Sequence, residues 1–157
     1  MSVLTEYQDA RRGEDAARLR RVIALRAMIA AGMSQRQIAE GLGISQPAVS
    51  QQLTSAPDLN AVHPGELLEA ARPVLKALAA ERGFTRLAVF GSVARGDARN
   101  DSDFDILVRA PKGTSSFDLV RFQQLLEEVL GRSVDVVEYA GLKKGLDDDV
   151  RREAVLL

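Results

Sequence analysis

The spacing of apolar residues predicts a long amphipathic helix near the start of the chain. Between residues 15 and 31, apolar side chains recur every three or four positions with arginines between them, which is the period of an α-helix with one buried face. Gly32 follows directly and favours the end of this helix. The apolar positions are Leu19, Val22, Ile23, Leu25, Ala27, Ile29 and Ala30.

Two shorter helices separated by glycine are predicted next along the chain. Ser34 can cap the first of them, and Gly41 or Gly43 can end it. Ser45 can cap the second, in which Pro47 would lie in the first turn, where its missing N–H is tolerated. A long helix followed by two short helices and a tight turn is the arrangement of a helix-turn-helix. The side chains expected to face inward are Ile38, Ala39, Leu42, Ile44, Val49 and Leu53.

The rest of the chain alternates between helical and strand patterns. Prolines, a glycine and little periodicity mark residues 57–65 as a linker, so we expect one domain over residues 1–56 and another over residues 66–157. These patterns predict an all-α first domain, followed along the chain by an α/β (α+β) second domain with a small mixed sheet. Its predicted strands cover residues 86–90, 104–108 and 133–139, and its predicted helices cover residues 66–82, 117–130 and 146–155.

Composition is typical of a globular protein without disulfides. Of the 157 residues, 46% are hydrophobic, which is enough to bury a core. The chain contains no cysteine, so disulfides and thiolate metal sites are excluded and an intracellular location is favoured. No apolar stretch reaches the roughly 18 residues of a membrane span, and the first residues form no apolar signal core. We therefore expect a cytoplasmic protein.

Charge is distributed unevenly between the two predicted domains. Residues 1–56 carry seven Lys or Arg against five Asp or Glu, a balance of +2. Residues 57–157 carry fourteen against seventeen, a balance of −3. This asymmetry permits nucleic-acid binding by the first domain without demanding it.

The second short helix of the predicted helix-turn-helix carries side chains suited to reading DNA. Gln pairs bidentately with adenine in the major groove, and Ser contacts base or phosphate. Arg36 and Arg26 are expected to touch phosphates. The segment resembles the helix-turn-helix of bacterial repressors and sigma-factor-like domains, which implies a homodimer on two-fold operator DNA. A helical bundle for dimerisation or docking is the alternative. The candidate DNA-binding residues of this helix are Ser45, Gln46, Ala48, Ser50 and Gln51, with Gln52 beside them.

The densest concentration of charge lies between two predicted strands, in the sequence FGSVARGDARNDSDFD over residues 90–105. Asp103 and Asp105 are separated by one residue, so at the start of a strand their side chains point to the same face. Asp135 lies in a predicted neighbouring strand. Three such carboxylates suit Mg²⁺ carrying a nucleoside triphosphate. The Gly91–Ser92 pair leaves a strand end, where backbone N–H groups and a hydroxyl can cradle phosphate oxygens.

These motifs together resemble the signature of the minimal nucleotidyltransferases, within the DNA polymerase beta superfamily. The resemblance is carried by residues 90–92, 95–96 and 102–108. It extends through Asp135 to the closing segment VRREAV over residues 150–155. It covers about residues 66–157 and implies a nucleotidyltransferase fold for the second domain.

The resemblance also implies a role for each motif residue. The Gly91–Ser92 pair would contact the terminal phosphates of ATP, and Arg95 would help to neutralise them. Asp103 and Asp105 would coordinate Mg²⁺. Asp135 would complete a second metal site and accept the proton of the attacking hydroxyl. That hydroxyl would attack the α-phosphate and release pyrophosphate.

Minimal nucleotidyltransferases often serve as antitoxins, paired with a HEPN ribonuclease toxin. The resemblance then implies transfer of AMP from ATP to a tyrosine of the toxin, and the added helix-turn-helix fits repression of the antitoxin's own operon. Two other functions stay open. The chain could be a transcription regulator whose second domain only binds nucleotide or a partner, or an enzyme that modifies a small molecule or tRNA.

Overall fold

The structure is a computed structural model that describes residues 2–157 and contains seven α-helices and four β-strands in that range. The helices are α1 (Val3–Ala30), α2 (Gln35–Leu42), α3 (Gln46–Thr54), α4 (Pro64–Glu81), α5 (Gly91–Arg95), α6 (Ser116–Leu130) and α7 (Asp148–Glu153). The strands are β1 (Thr85–Phe90), β2 (Phe104–Arg109), β3 (Val134–Glu138) and β4 (Val155–Leu156). None of the helices within residues 2–157 combines the length and the apolar character needed to cross a bilayer.

The four strands form one sheet in the order β3-β2-β1-β4. β2 and β3 run parallel, whereas β1 is antiparallel to both β2 and β4, so the predicted small mixed sheet is confirmed. One face of the sheet belongs to the main core, together with buried residues of α1, α4 and α6. The strand residues of this core are Leu87, Val89, Phe104, Ile106, Val108, Val134 and Val136.

Helix α1 contributes to two separate cores. Leu19, Ile23 and Ala27 are buried with the sheet, α4 and α6. Leu25, on another side of the same helix, is buried in a small cluster with Ile38, Ala39 and Val49 from α2 and α3. The domain boundaries predicted from the sequence stay a prediction, but α1 belongs physically to both units.

The predicted linker, residues 57–65, is packed against the second unit. Leu59 is buried in the main core. The Nη2 atom of Arg132 donates to the backbone carbonyls of Asn60 and Asn100. His63 Nε2 lies 3.2 Å from the carbonyl oxygen of Ala98. The linker therefore lies directly on the loop between α5 and β2, which precedes Asp103.

Several elements differ from the sequence-based expectation. α1 begins at Val3, capped by the Ser2 hydroxyl, and not at residue 15, because its first four turns are exposed and mostly polar and carry no apolar period. The predicted closing helix over residues 146–155 is shorter, covering Asp148–Glu153, and its last predicted residue, Val155, begins β4. Leu42 and Ile44 are 51% and 36% exposed, so their inward placement was wrong. They flank Gly43, whose left-handed backbone ends α2.

Candidate active site

Sheet register places two of the predicted metal ligands side by side. Asp105 on β2 pairs with Phe90 at the end of β1 and with Asp135 on β3. Because directly paired residues project to the same face, Asp105 and Asp135 share a face, opposite to the one that packs on the helices. Asp103 comes two positions before Asp105, just ahead of β2. Asp105 is half-buried, while Asp103 and Asp135 are exposed.

The three carboxylates repel one another in the absence of a cation. Partial burial raises the pKa of Asp105 above its ordinary value, and the nearby charges of Asp135 and Asp103 raise it further, while Arg95 opposes the shift. A divalent cation held by these oxygens would relieve the repulsion, and carboxylate oxygens are the donors that Mg²⁺ prefers. Within residues 2–157, no three acidic or histidine side chains lie close enough together to hold a metal ion in this arrangement. The donor chemistry fits Mg²⁺, and the ligand roles stay predictions.

Gly91 makes the close approach between β1 and Asp105 possible. It follows β1 directly and opens the short helix α5 with a backbone φ of +72°. A Cβ atom at this position would overlap the Oδ2 atom of Asp105. Glycine alone adopts this conformation readily and leaves this space free. The half-buried Ser92 follows it in the first turn of α5, beside the carboxylates, where the sequence predicts phosphate binding.

Arg95 lies in the last turn of α5 and is held by two carboxylates. Its Nη1 atom is 3.1 Å from Oε2 of Glu153, and its Nε atom is 3.4 Å from Oδ2 of Asp97. Hydrogen bonding to Glu153, followed by that to Asp97, raises the pKa of Arg95. Sequence reasoning gave Glu153 no role. Its one signal was membership of the closing segment 150–155, because its contact with Arg95 spans 58 positions.

Local capping explains the shape of α2 and α3. The Ser34 hydroxyl accepts from the Gln37 backbone N–H, and the Gln37 side chain accepts from the Ser34 N–H, which forms a capping box. Gly43 ends α2 with a φ of +69°. Ser45 then caps α3 by accepting from the backbone N–H of Ala48. Both predicted caps and the predicted glycine turn are confirmed.

The candidate DNA-binding residues lie on one short segment. Ser45, Gln46, Ser50 and Gln51 are exposed, and Ala48 is half-buried. They belong to α3 and its cap, apart from the sheet face that carries the acidic cluster. Their role in DNA binding stays a prediction.

The two arginines expected to touch phosphates differ in their surroundings. Arg36 on α2 is exposed and its Nε atom is 3.3 Å from Oε1 of Glu40. Arg26 donates from Nε and Nη2 to the backbone carbonyls of Val129 and Glu128, at the end of α6. Two donors of the Arg26 guanidinium are thus used inside the protein, which disfavours the phosphate role expected for it.

Known proteins resemble the second unit of the chain. A family model described as nucleotidyltransferase domain matches residues 72–157, so the match leaves α1, α2 and α3 outside. MJ0435 of Methanocaldococcus jannaschii, provisionally named as a protein adenylyltransferase, is 45% identical over 75 residues, which are 48% of this chain and 81% of that protein. Protein adenylyltransferase MntA of Thermococcus cleftensis is 41% identical over 73 residues, 46% of this chain and 74% of MntA.

A solved structure has the same fold. It is described as a provisionally assigned minimal nucleotidyltransferase, is 44% identical to this chain and superimposes with a TM-score of 0.54. The match covers 66% of this chain and 99% of that one. The predicted resemblance to minimal nucleotidyltransferases is confirmed.

Proposed function

The chain belongs to the nucleotidyltransferase domain family and is a nucleotidyltransferase, and from that premise we propose that it transfers AMP from ATP to a hydroxyl group of a partner protein. Two relatives that are more than 40% identical carry the name protein adenylyltransferase, one of them provisionally. The observation that supports the proposal most directly is the contact of Gly91 with Asp105, which is paired with Asp135. In this arrangement, the turn proposed to bind phosphate lies against the carboxylates proposed to hold Mg²⁺.

Each motif residue has a task in this reaction. Asp103, Asp105 and Asp135 would hold Mg²⁺, which when bound supplies positive charge to offset that of the phosphates. The backbone N–H groups and hydroxyl of the Gly91–Ser92 pair would bind and orient the terminal phosphates. Arg95 would neutralise part of their charge. Binding and orientation of the reacting groups would account for most of the rate enhancement.

The proposed transfer is a single in-line displacement. The oxygen of the acceptor hydroxyl forms a bond to the α-phosphorus of ATP while the bond from that phosphorus to the bridging oxygen of the β-phosphate breaks. The electron pair of the broken bond leaves with pyrophosphate. The proton of the hydroxyl passes to the carboxylate of Asp135. The products are AMP joined to the acceptor by a phosphodiester bond, and pyrophosphate.

We propose further that the acceptor is a tyrosine of a HEPN-type toxin and that the chain is its antitoxin. The resemblance to minimal nucleotidyltransferases supports this pairing. The nucleotidyltransferase unit, residues 66–157, is small, and a protein partner would complete the wall of its open site. In the same proposal, α3 binds operator DNA as part of a homodimer and represses the operon that encodes both proteins. The capped α2 and α3 with their exposed Ser and Gln side chains support that second role.

Transfer is tested with ATP labelled on its α-phosphate, Mg²⁺, the purified chain and the product of the adjacent gene. We expect label on the neighbouring protein, and none when the label is on the γ-phosphate. Asp103→Asn and Asp105→Asn should abolish labelling. Asp101→Asn is the matched control, because Asp101 is an exposed residue of the same loop with no proposed role. Absence of label with the unmodified chain, despite complex formation, would contradict the enzymatic proposal.

DNA binding is tested by gel shift with the DNA upstream of the operon. Gln46→Ala and Gln51→Ala should each weaken specific binding by about tenfold or more, since one bidentate base contact is worth roughly 1–3 kcal/mol. Gln124→Ala is the control, because Gln124 is an exposed glutamine on α6. Equal affinities of all variants for this DNA would exclude α3 as the reading helix.

A further inference from the structure

The proposed reaction leaves one contact unexplained, the ion pair between Arg95 and Glu153. The Arg95 guanidinium is assigned to the phosphates of ATP, yet Glu153 Oε2 lies 3.1 Å from its Nη1 atom. A carboxylate in this position competes with the phosphates of ATP for the Arg95 guanidinium. The Glu153 side chain is 24% exposed, against 49% for Arg95, so the acid is the more enclosed partner.

The acidic cluster offers the Arg95 guanidinium an alternative set of partners. Helix α5 brings Arg95 close to this cluster, because its first residue, Gly91, lies against the Asp105 carboxylate and Arg95 follows one turn later in the same helix. Asp135 pairs with Asp105 on the neighbouring strand, and Asp103 lies just ahead of β2, two positions before Asp105. Opposite charges on neighbouring elements attract each other, and the planar guanidinium of arginine binds carboxylates well. A guanidinium released from Glu153 and held only by Asp97, 3.4 Å from its Nε atom, would therefore be drawn toward the carboxylates that are proposed to hold Mg²⁺.

The backbone fixes the position of Glu153. It is the last residue of α7, and β4 begins two residues later with Val155. Val155 pairs with Val89 on β1, and Val89 lies two residues before Gly91, the first residue of α5. Helix α7 thus enters the sheet through β4 close to the point where α5 leaves it after β1. The backbone at Glu153 is therefore anchored to the sheet beside α5.

We propose that Glu153 is a positioning residue that keeps the Arg95 guanidinium away from the carboxylates of Asp103, Asp105 and Asp135. The cation site then stays open, and the guanidinium stays on the side of α5 from which it can meet phosphate oxygens. This role rests on the proposed function, because that function assigns Arg95 to the triphosphate. It assigns to Glu153 a task beyond joining α7 to α5.

A purely structural ion pair would behave differently. Asp149 and Arg152 form such a pair within α7, with side chains 83% and 75% exposed. Loss of that pair should leave metal binding unchanged. The Asp149→Asn variant therefore serves as a control that removes one negative charge from the same helix.

The test is binding of Mn²⁺, used as a paramagnetic substitute for Mg²⁺, to the full chain with and without a non-hydrolysable ATP analogue. Four proteins form a cycle: the unmodified chain, Glu153→Gln, Arg95→Gln and the double variant. We expect Glu153→Gln to weaken Mn²⁺ binding by about fivefold when Arg95 is present, the upper range for a partly exposed charge pair. The same substitution should have a clearly smaller effect in the Arg95→Gln background.

The cycle separates positioning from simple loss of charge. If Glu153→Gln weakens Mn²⁺ binding by the same factor in both backgrounds, its charge alone is responsible and the positioning role is overturned. No effect in either background also overturns it. If the unmodified chain binds neither Mn²⁺ nor the nucleotide analogue, the proposed function itself fails. Circular dichroism and thermal unfolding of each variant exclude misfolding as the cause of a weaker signal.

Discussion

At the scale of single residues, Gly91 meets two requirements at once. Its φ of +72° lies in the left-handed region that favours glycine, and the space of its absent side chain is taken by the Asp105 carboxylate. Gly96, directly after α5, has a similar φ of +78°, but a Cβ atom there would meet no other atom within 4 Å. Substitution of Gly96 would therefore introduce backbone strain alone, whereas substitution of Gly91 would introduce backbone strain and a steric conflict with Asp105.

We predict that Gly91→Ala lowers the rate of AMP transfer by about 100-fold, as expected when a reacting group is displaced by about 1 Å. Gly96→Ala adds comparable backbone strain and should lower the rate far less. Both variants should unfold at similar temperatures. Steady-state transfer rates and thermal unfolding of the two variants check this prediction, and equal losses of activity would contradict it.

At the scale of elements, α1 is joined to α6 by more than apolar contact. Arg26 donates two hydrogen bonds to carbonyl oxygens in the last turn of α6, at distances of 3.0 and 2.7 Å. The last carbonyls of a helix lack partners within the helix, and a cation near them is favourable. Arg26 thus serves as a cap supplied by another helix.

We predict that Arg26→Met lowers the free energy of unfolding by about 1.5 kcal/mol, since hydrogen bonds from a charged group contribute roughly 1.5–3 kcal/mol. DNA affinity should not change, because Arg26 is not free to contact phosphates. Urea unfolding and gel shift measure the two effects. Arg36→Met should weaken DNA binding and leave the free energy of unfolding unchanged. A large loss of DNA affinity in Arg26→Met would instead support the phosphate role expected for Arg26.

Local signals explain which elements could be predicted from the sequence. The caps at Ser34 and Ser45, the turn at Gly43 and the buried strands β1 and β2 all depend on residues close together in the chain. The motif around Asp103 and Asp105 is equally local, whereas β4 and the Arg95–Glu153 pair depend on contacts between distant segments. Single-sequence patterns carry no information on such contacts. The exposed first half of α1 was missed because a mostly polar helix shows no apolar period.

At the scale of the whole molecule, the two units are not independent. The main core contains Leu19, Ile23 and Ala27 from α1 and Leu59 from the linker, in addition to the residues of the second unit. The matched solved structure aligns over 99% of its own length with 66% of this chain, so part of this chain has no counterpart there. In this protein, α1 covers apolar side chains of α4 and α6 that would otherwise meet water.

We predict that residues 57–157 produced alone are much less stable than the full chain. Removal of a single buried Leu or Ile side chain typically costs about 2–5 kcal/mol, and this truncation removes two such residues from the main core. The control is the full chain with Leu25→Ala and Val49→Ala, which damages only the small cluster. Thermal unfolding, followed by circular dichroism at wavelengths that report on the β-sheet, tests this prediction. Equal midpoint temperatures for the fragment and the full chain would contradict it.

The double use of α1 also sets an order of events while the ribosome makes the chain. α2 and α3 can close over Leu25 once about 55 residues have emerged, whereas the other side of α1 is fully covered only when α6, which ends at Leu130, has been made in addition to α4. At about 5–20 residues per second, that interval lasts several seconds. A nascent chain would therefore present its predicted DNA-reading surface well before its nucleotide site exists.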